Sequence, residues 1–165
     1  MIMRFVGGRG AVGLPPLEDF NANARQTLDL AREEAPRFHH DFIGTEHVLL
    51  GLLKSENGVA SNVLRRFGVE REAVRMEIEK IVGVGPVHKA SAAISYTPRA
   101  RKALLLAVCE AKAMNHAEVG PGHIFLGLLK EGGGVAALVL RNLGIEIKRT
   151  REEILSELGP NQSNG

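Results

Sequence analysis

A gapless internal repeat constrains this chain more than any other feature. Shifting the sequence by 76 positions (123 minus 47) places His47 on His123 and Gly68 on Gly144. In the same register GTEHVLLGLLK matches GPGHIFLGLLK, and GVASNVLRRFGVE matches GVAALVLRNLGIE. Repeats with periods of about 20–50 residues form stacked solenoids, but two units of this length more simply pack face to face and close one core. We therefore expect one domain with approximate two-fold symmetry.

Each copy carries the pattern of four helices. The first is amphipathic, with apolar residues three and four positions apart from Phe20 to Phe38 and from Tyr96 to Met114. Asn21 and Thr97 are the predicted N-caps. Strand signals are absent, so we expect an all-α fold. The other predicted helices are Thr45–Ser55, Val59–Phe67 and Glu70–Val82 in copy one, and Pro121–Glu131, Val135–Leu143 and Glu146–Leu158 in copy two.

The boundaries follow from the repeat and from the Gly, Pro and polar stretches beside it. We expect a flexible leader at 1–18, the paired domain at 19–159 and a polar tail at 160–165. Within the domain, repeat one is 20–82, the linker 83–95 and repeat two 96–158. Gly68 and Gly144 are expected to end the third helix of each repeat.

Composition excludes some classes of function. With 21 basic and 19 acidic residues the formal charge is +2, so no strong field attracts nucleic acid or anionic lipid. A small helical nucleic-acid binder remains an alternative, using the arginines Arg65, Arg66, Arg71 and Arg75. The single Cys109 rules out an internal disulfide and suits a reducing cytosol, so we expect a cytoplasmic protein.

The motifs of common enzymes are missing. The chain has no GxxxxGK[ST] phosphate loop, no HExxH and no recognisable set of nucleophile, base and orienting acid. Gly132, Gly133 and Gly134 precede a helix and could present amides to an anion, but no Lys-Ser/Thr follows them, so we expect a turn that connects two helices. His47 and His123 are expected to be structural, bonded to backbone carbonyls. We therefore expect no catalysis, no cofactor and no metal.

The repeated G-T-E-H-[IV]-L-L-G-L-L and G-V-A-x-x-[VA]-L-x-x-[LF]-G patterns, with YTPRARKAL opening copy two, resemble the double Clp repeat domain. That domain lies at the N-terminus of ClpC- and ClpA-type AAA+ unfoldases. The resemblance implies two four-helix Clp repeats packed as one pseudo-two-fold domain. It also implies a non-catalytic module that docks substrates and adaptor proteins for an ATP-driven ring.

A chain of 165 residues has no room for AAA+ modules. We therefore expect a free-standing accessory or decoy domain whose partners are a Clp ATPase, an adaptor or a substrate protein. The alternative is the N-terminal substrate-docking fragment of a longer ClpC-type unfoldase.

The resemblance further implies a ligand, because some ClpC-type domains bind phosphoarginine at one site in each copy. A Glu of the TEH triplet pairs with the guanidinium, while a helix N-terminus with a Thr and an Arg holds the phosphate. Taken repeat by repeat, both sites are expected to be half-dismantled and weak. Half-site one has Thr45 and Glu46 but Asn21 and Asn23, and half-site two has Thr97 and Arg99 but Pro121 and Gly122.

The family also has a hydrophobic surface where the two first helices meet, and cyclic-peptide antibiotics bind there in some members. The matching positions are Leu17, Phe20, Tyr96 and Arg101. Plain core packing is the alternative for Phe20 and Tyr96, since both lie on the apolar stripe.

Overall fold

In the computed structural model, residues 13–86 and 94–159 are described, and they form eight α-helices that confirm the all-α expectation. Repeat one contains α1 (Ala22–Arg37), α2 (Thr45–Leu53), α3 (Val59–Arg66) and α4 (Arg71–Val82). Repeat two contains α5 (Pro98–Ala113), α6 (Pro121–Glu131), α7 (Val135–Asn142) and α8 (Ile147–Leu158). A 3-10 turn, Leu17–Asp19, begins in the last residues of the expected leader and ends at the first residue of the expected domain. Residues 1–12 of the leader and the tail 160–165 lie outside the described residues.

The helix ends follow the local sequence signals. The Asn21 side chain accepts a hydrogen bond of 2.9 Å from the Ala24 N–H, and Thr97 accepts one of 3.2 Å from the Ala100 N–H, which confirms both N-caps. Gly68 and Gly144 follow α3 and α7 with φ values of 76° and 79°, the left-handed conformation of a helix C-terminus.

Two short strands were not anticipated. β1 (Phe42–Ile43) and β2 (Ser95–Tyr96) pair in parallel, with Ile43 opposite Tyr96. An isolated parallel bridge between Phe20 and Val119 occupies the equivalent place in the other half. The expectation of no strand was wrong because a two-residue segment is too short to show an alternating pattern. The expected linker 83–95 ends inside β2, and its residues 87–93 lie outside the described range.

The core is centred on α2 and α6, which are buried almost throughout. α1 packs on α2, and α5 on α6, and small residues let these pairs approach closely. A Cβ added at Gly51 would lie 2.5 Å from the carbonyl oxygen of Thr27, and one at Gly127 would meet the carbonyl of Ala103. A larger residue cannot enter either contact without moving the helices apart.

The two repeats interlock through contacts that come in matched pairs. α3 packs on α8 as α4 packs on α7, and α1 touches α6 as α2 touches α5. Because each repeat supplies part of the other's packing surface, the two units close a single pseudo-two-fold core, as the gapless offset predicts.

A buried carboxylate ties the outer helices to that core in each repeat. Glu34 of α1, fully buried, lies 2.9 Å from Lys54 Nζ and also pairs with Arg75 of α4. Glu110 of α5 receives 2.7 Å and 2.9 Å hydrogen bonds from Arg151 of α8. Burial alone would raise the pKa of both carboxyls, but the cations hold each pKa below its usual value.

Candidate functional site: two inter-repeat clefts

The N-terminal segment of each repeat lies against the other repeat, at the start of its central helix. The Thr97 N–H donates a 2.9 Å hydrogen bond to the Ile43 carbonyl, two residues before α2. The Asn21 N–H donates one of equal length to the Val119 carbonyl, two residues before α6. The start of α5 therefore meets the start of α2, and the start of α1 meets the start of α6.

This crossing changes how the expected ligand residues are grouped. The grouping by repeat was wrong, because each cleft takes one wall from each copy. One cleft, the charged site, contains Thr45, Glu46, Thr97 and Arg99. The other, the neutral groove, contains Asn21, Asn23, Pro121 and Gly122. The retained residues thus collect in one cleft and the replaced residues in the other.

Glu46 carries the unusual electrostatics of the charged site. Its residue is 2% exposed, and its carboxylate lies beside Gly44, where an added Cβ would collide with it. Burial raises the pKa of Glu46. Among the described residues its only ion-pairing neighbour within 4 Å is the imidazole of His47, at 3.4 Å. Burial lowers the pKa of His47 to about 3, so that ring is neutral near pH 7 and supplies no counter-charge. The groups that favour the ionised form of Glu46 are its own backbone N–H and the N-terminus of α2.

His47 fixes the start of α2. Its Nδ1 accepts a 2.9 Å hydrogen bond from the Gly44 N–H, so its Nε2 must carry the proton. That Nε2 lies 3.0 Å from His40 Nδ1, to which it donates. His123 and His116 repeat the arrangement in the other half, with both distances 2.8 Å. The expected bond to a backbone carbonyl was therefore wrong, because the ring caps a helix by accepting from an amide.

The N-terminus of α7 forms another wall of the charged site. The Thr45 hydroxyl oxygen accepts a 3.1 Å hydrogen bond from the Ala136 N–H. The Glu131 carboxylate accepts from the Gly134 N–H at 2.8 Å and from Arg99 Nη1 at 2.7 Å. The sequence suggested that glycine amides here could bind an anion, and in the structure the anion is a side chain of the same protein. Glu131 itself was missed, although a carboxylate just before three glycines and a helix was the available signal.

The neutral groove is an opening of about 780 Å³. Side-chain amides and apolar groups line it where the charged site has its charged side chains, because Gly122 is the counterpart of Glu46 and Asn23 that of Arg99. Leu158 lies against the counterpart of Glu46, with its Cδ2 2.6 Å from where a Cβ at Gly122 would be. This groove therefore has no carboxylate at the position of Glu46, and the carboxylate that does line it, Glu118, belongs to the segment before α6.

Comparison with known proteins places this duplicated fold in a family. The Clp repeat (R) N-terminal domain matches residues 19–126 and, a second time, residues 95–165. The chain belongs to the Clp repeat family. Relatives include the chaperone protein ClpB of Oceanobacillus iheyensis and the negative regulator of genetic competence ClpC/MecB of Bacillus subtilis, each 44% identical over 144 residues. Either alignment covers 87% of this chain but only 18% of the relative, so the chain spans under a fifth of their length.

Solved structures agree with the Clp repeat fold. The N-terminal domain of ClpD from Arabidopsis thaliana superposes with a TM-score of 0.71 at 22% identity, covering 88% of this chain and 98% of that one. A ClpV N-domain in complex with a VipB peptide gives 0.68 at 22% identity, covering 92% and 96%. At such identities these likenesses establish the fold.

The expected hydrophobic surface of this Clp repeat domain is largely internal. Phe20 is 1% exposed and Tyr96 9%, so both belong to the core and their assignment to a surface was wrong. Leu17 is 47% exposed, whereas Arg101 is partly buried. The Arg32 guanidinium lies 5.9 Å from the centre of the Tyr96 ring and covers part of it.

Three of the four arginines suggested for nucleic-acid binding contact this Clp repeat domain's own acceptors. Arg65 donates to a backbone carbonyl, Arg75 pairs with Glu34, and Arg66 bridges to α8 through Glu153 at 2.8 Å and Glu157 at 2.9 Å. Cys109 is free and exposed.

Within residues 13–86 and 94–159, no group of three or more His, Cys, Asp or Glu side chains is placed to hold a metal ion. Over the same ranges no single helix is long and apolar enough to cross a membrane; α6 and α7 reach that length and composition only when taken together, and they meet at 85°.

Proposed function

We propose that this chain is a non-catalytic, cytoplasmic protein-interaction domain of the Clp chaperone and protease system, which recognises phosphoarginine on client proteins through the charged site. The observation that carries the proposal is the buried carboxylate of Glu46. It is 2% exposed, and the neutral His47 leaves it without a counter-charge among the described residues. Burial raises the pKa of this carboxyl, and a cationic ligand that enters and pairs with it would favour the ionised form.

The chemistry of the cleft fits both ends of that ligand. Glu46 would accept the guanidinium hydrogen bonds, which are strongest when a planar fork meets a carboxylate. The N-terminus of α5 and the Arg99 guanidinium, which is 62% exposed and paired with Glu131, would hold the phosphate. Thr45 is committed to the Ala136 N–H and acts by positioning the start of α7.

The crossing of the repeats revises the expected strength and stoichiometry. Two sites that each lack half of the ligand-binding residues would both bind weakly. In the structure one cleft instead has all of these residues and the other has none. We expect one equivalent of phosphoarginine per chain. The neutral groove lacks both the carboxylate and the arginine, so it is not expected to bind this ligand.

The relatives support a role in the cell. They include the ATP-dependent Clp protease ATP-binding subunit ClpC of Staphylococcus aureus, and the match to this chain is confined to 17% of its length. We propose that the domain docks clients or adaptor proteins for such a ring, whether as part of a longer unfoldase or as an accessory domain. A pull-down from native cytosol that retains a Clp ATPase, an adaptor or arginine-phosphorylated clients would support this role.

Calorimetry with free phosphoarginine tests the ligand. The wild-type chain should bind one equivalent, and Glu46→Ala should weaken binding by about ten- to a hundredfold, because a charge-assisted contact typically contributes ~1.5–3 kcal/mol. Glu118→Ala, which removes a carboxylate beside the neutral groove, is the matched control and should bind normally. Arginine without its phosphate should bind far more weakly. Binding that survives Glu46→Ala, or a stoichiometry of two, would refute the assignment.

A further inference from the structure

Glu131 lies at a helix position where a negative charge is unfavourable. It is the last residue of α6, where the negative end of the helix dipole repels a carboxylate. The side chain is nevertheless 1% exposed and directed at the N-terminus of α7, the next helix. A local conflict of this kind, compensated by a contact elsewhere, is more common at functional positions than in the rest of a fold.

The contacts of Glu131 are those that the anionic group of a ligand would make. One carboxylate oxygen accepts from the Gly134 N–H at 2.8 Å and from the Gly133 N–H at 3.2 Å. The other accepts from Arg99 Nη1 at 2.7 Å. The Gly133 N–H also donates to the Glu131 backbone carbonyl at 2.9 Å. The protein thus gives the amide that caps α7 and an exposed arginine an anion of its own, in the charged site.

The other repeat shows that the fold does not require this carboxylate. The counterpart of Glu131 is Ser55, and α3, the counterpart of α7, forms without a carboxylate at that point. There the Gly58 N–H donates to the Ser55 carbonyl oxygen at 3.1 Å. Closing this turn and starting the helix are therefore possible with a neutral residue, so the charge at 131 has another role.

We propose that Glu131 is an intramolecular competitor for the anion-binding part of the charged site. It holds Arg99 and the α7 amides in place, and an incoming anion must displace it to reach them. A carboxylate on a ligand carries the same single charge as Glu131, so displacing Glu131 would gain it little free energy. A phosphoryl group carries more charge and a third acceptor oxygen, so it competes better. Glu131 thereby sets how tightly an anion must interact with Arg99 and these amides in order to bind. The identity of the whole ligand rests on the proposed function, but the competition does not.

Inorganic phosphate tests the competition alone. The amide resonances of Gly133 and Gly134 are followed by NMR during phosphate titration of wild type, Glu131→Gln, Glu131→Ser and the control Glu152→Gln, which removes an exposed carboxylate of α8. Glu131→Gln keeps an oxygen that can accept from the amides, and Glu131→Ser copies the other repeat. We expect both Glu131 variants to bind phosphate about tenfold tighter than wild type and the control, the difference of ~1.4 kcal/mol expected from removing one charged competitor. Equal affinities in all four proteins would overturn the proposal.

Phosphoarginine separates this inference from the proposed function. When phosphoarginine binds the wild-type protein, the amide resonances of Gly133 and Gly134 should shift as the Glu131 carboxylate leaves them. Binding without that shift would overturn the competition but would leave the proposed function intact. If phosphate binds the Glu131 variants more tightly but phosphoarginine binds none of the proteins, the competition holds and the proposed ligand fails.

Discussion

The hydroxyl oxygen of Thr45 in the first repeat accepts a 3.1 Å hydrogen bond from the backbone N–H of Ala136 in the second. Both residues are buried, so water cannot replace the bond. The contact joins the start of α2 to the start of α7 and forms one side of the charged site. The stability of one repeat is therefore coupled to a side chain of the other.

Replacing Thr45 with Val should destabilise the protein, because it leaves the buried Ala136 N–H without an acceptor. Such a loss costs about 1–3 kcal/mol. Thr150→Val is the matched control, since Thr150 is also buried but donates to the Glu146 carbonyl, which keeps a bond from the Thr150 N–H. Urea denaturation should rank Thr45→Val as the less stable variant, and the reverse order would contradict the role given to this contact.

Replacing Gly127 with Ala should destabilise the domain by about 1–3 kcal/mol, the usual penalty for overfilling a packed interior. The new Cβ would meet the backbone carbonyl of Ala103, which cannot swing aside as a side chain can. Gly13→Ala, where an added Cβ meets nothing within 4 Å, should be nearly neutral. Thermal unfolding of the two variants checks this; equal midpoints would show that α5 and α6 can separate at little cost.

The central histidines should make the domain less stable in mild acid. Burial lowers the pKa of His47 to about 3 and that of His123 to about 4, from 6.5 in the unfolded chain. Below pH 6.5 the unfolded chain takes up protons that the folded rings refuse, so stability falls as the pH falls toward 4. Each ring contributes up to about 1.4 kcal/mol per pH unit.

Urea denaturation at pH 7 and pH 5 measures this slope in wild type and in His47→Gln. The raised pKa of Glu46 acts in the opposite direction, and it is present in both proteins. The variant should therefore lose less stability on acidification than wild type does. Parallel curves for the two proteins would show that His47 is not the group responsible.

The neutral groove should acquire phosphoarginine binding only when several residues change together. Gly122→Glu restores the carboxylate and Asn23→Arg the cation, but Leu158 occupies the space, with Cδ2 2.6 Å from the new Cβ position. We expect a second equivalent in calorimetry for the triple variant with Leu158→Ala, and a single equivalent for Gly122→Glu alone. A second equivalent from the single substitution would show that the carboxylate is sufficient.

The parts of the fold that sequence reasoning predicted are those set by neighbours in the chain. The caps at Asn21 and Thr97 and the apolar stripes depend on residues three or four positions apart, which a helix brings together whatever else it touches. Two-fold symmetry followed from the offset alone. These signals are local or repeated, and both are visible in one sequence.

The grouping of the site residues could not be obtained in this way. It depends on β1 pairing with β2, where Ile43 meets Tyr96 across 53 positions (96 minus 43), and two-residue strands leave no pattern. The His40 and His47 pair is likewise invisible, because a turn and not a helical face brings the rings to 3.0 Å. The residues taken from the family pattern were assigned to the wrong partners, and Glu131 was not among them.

A two-fold scaffold with one charged cleft has a consequence for how long clients would be retained. Two equivalent clefts on one domain could hold two modified arginines of the same chain, and the second contact would form at a high effective concentration, strengthening attachment by about a hundredfold or more. Because one cleft has Glu46 and the other has Gly122, the domain cannot bind two modified arginines at once. If the proposed function holds, a client with several phosphorylated arginines would bind each domain through one of them. It would then dissociate at the rate of that single contact. Avidity would have to come from several copies of the domain side by side.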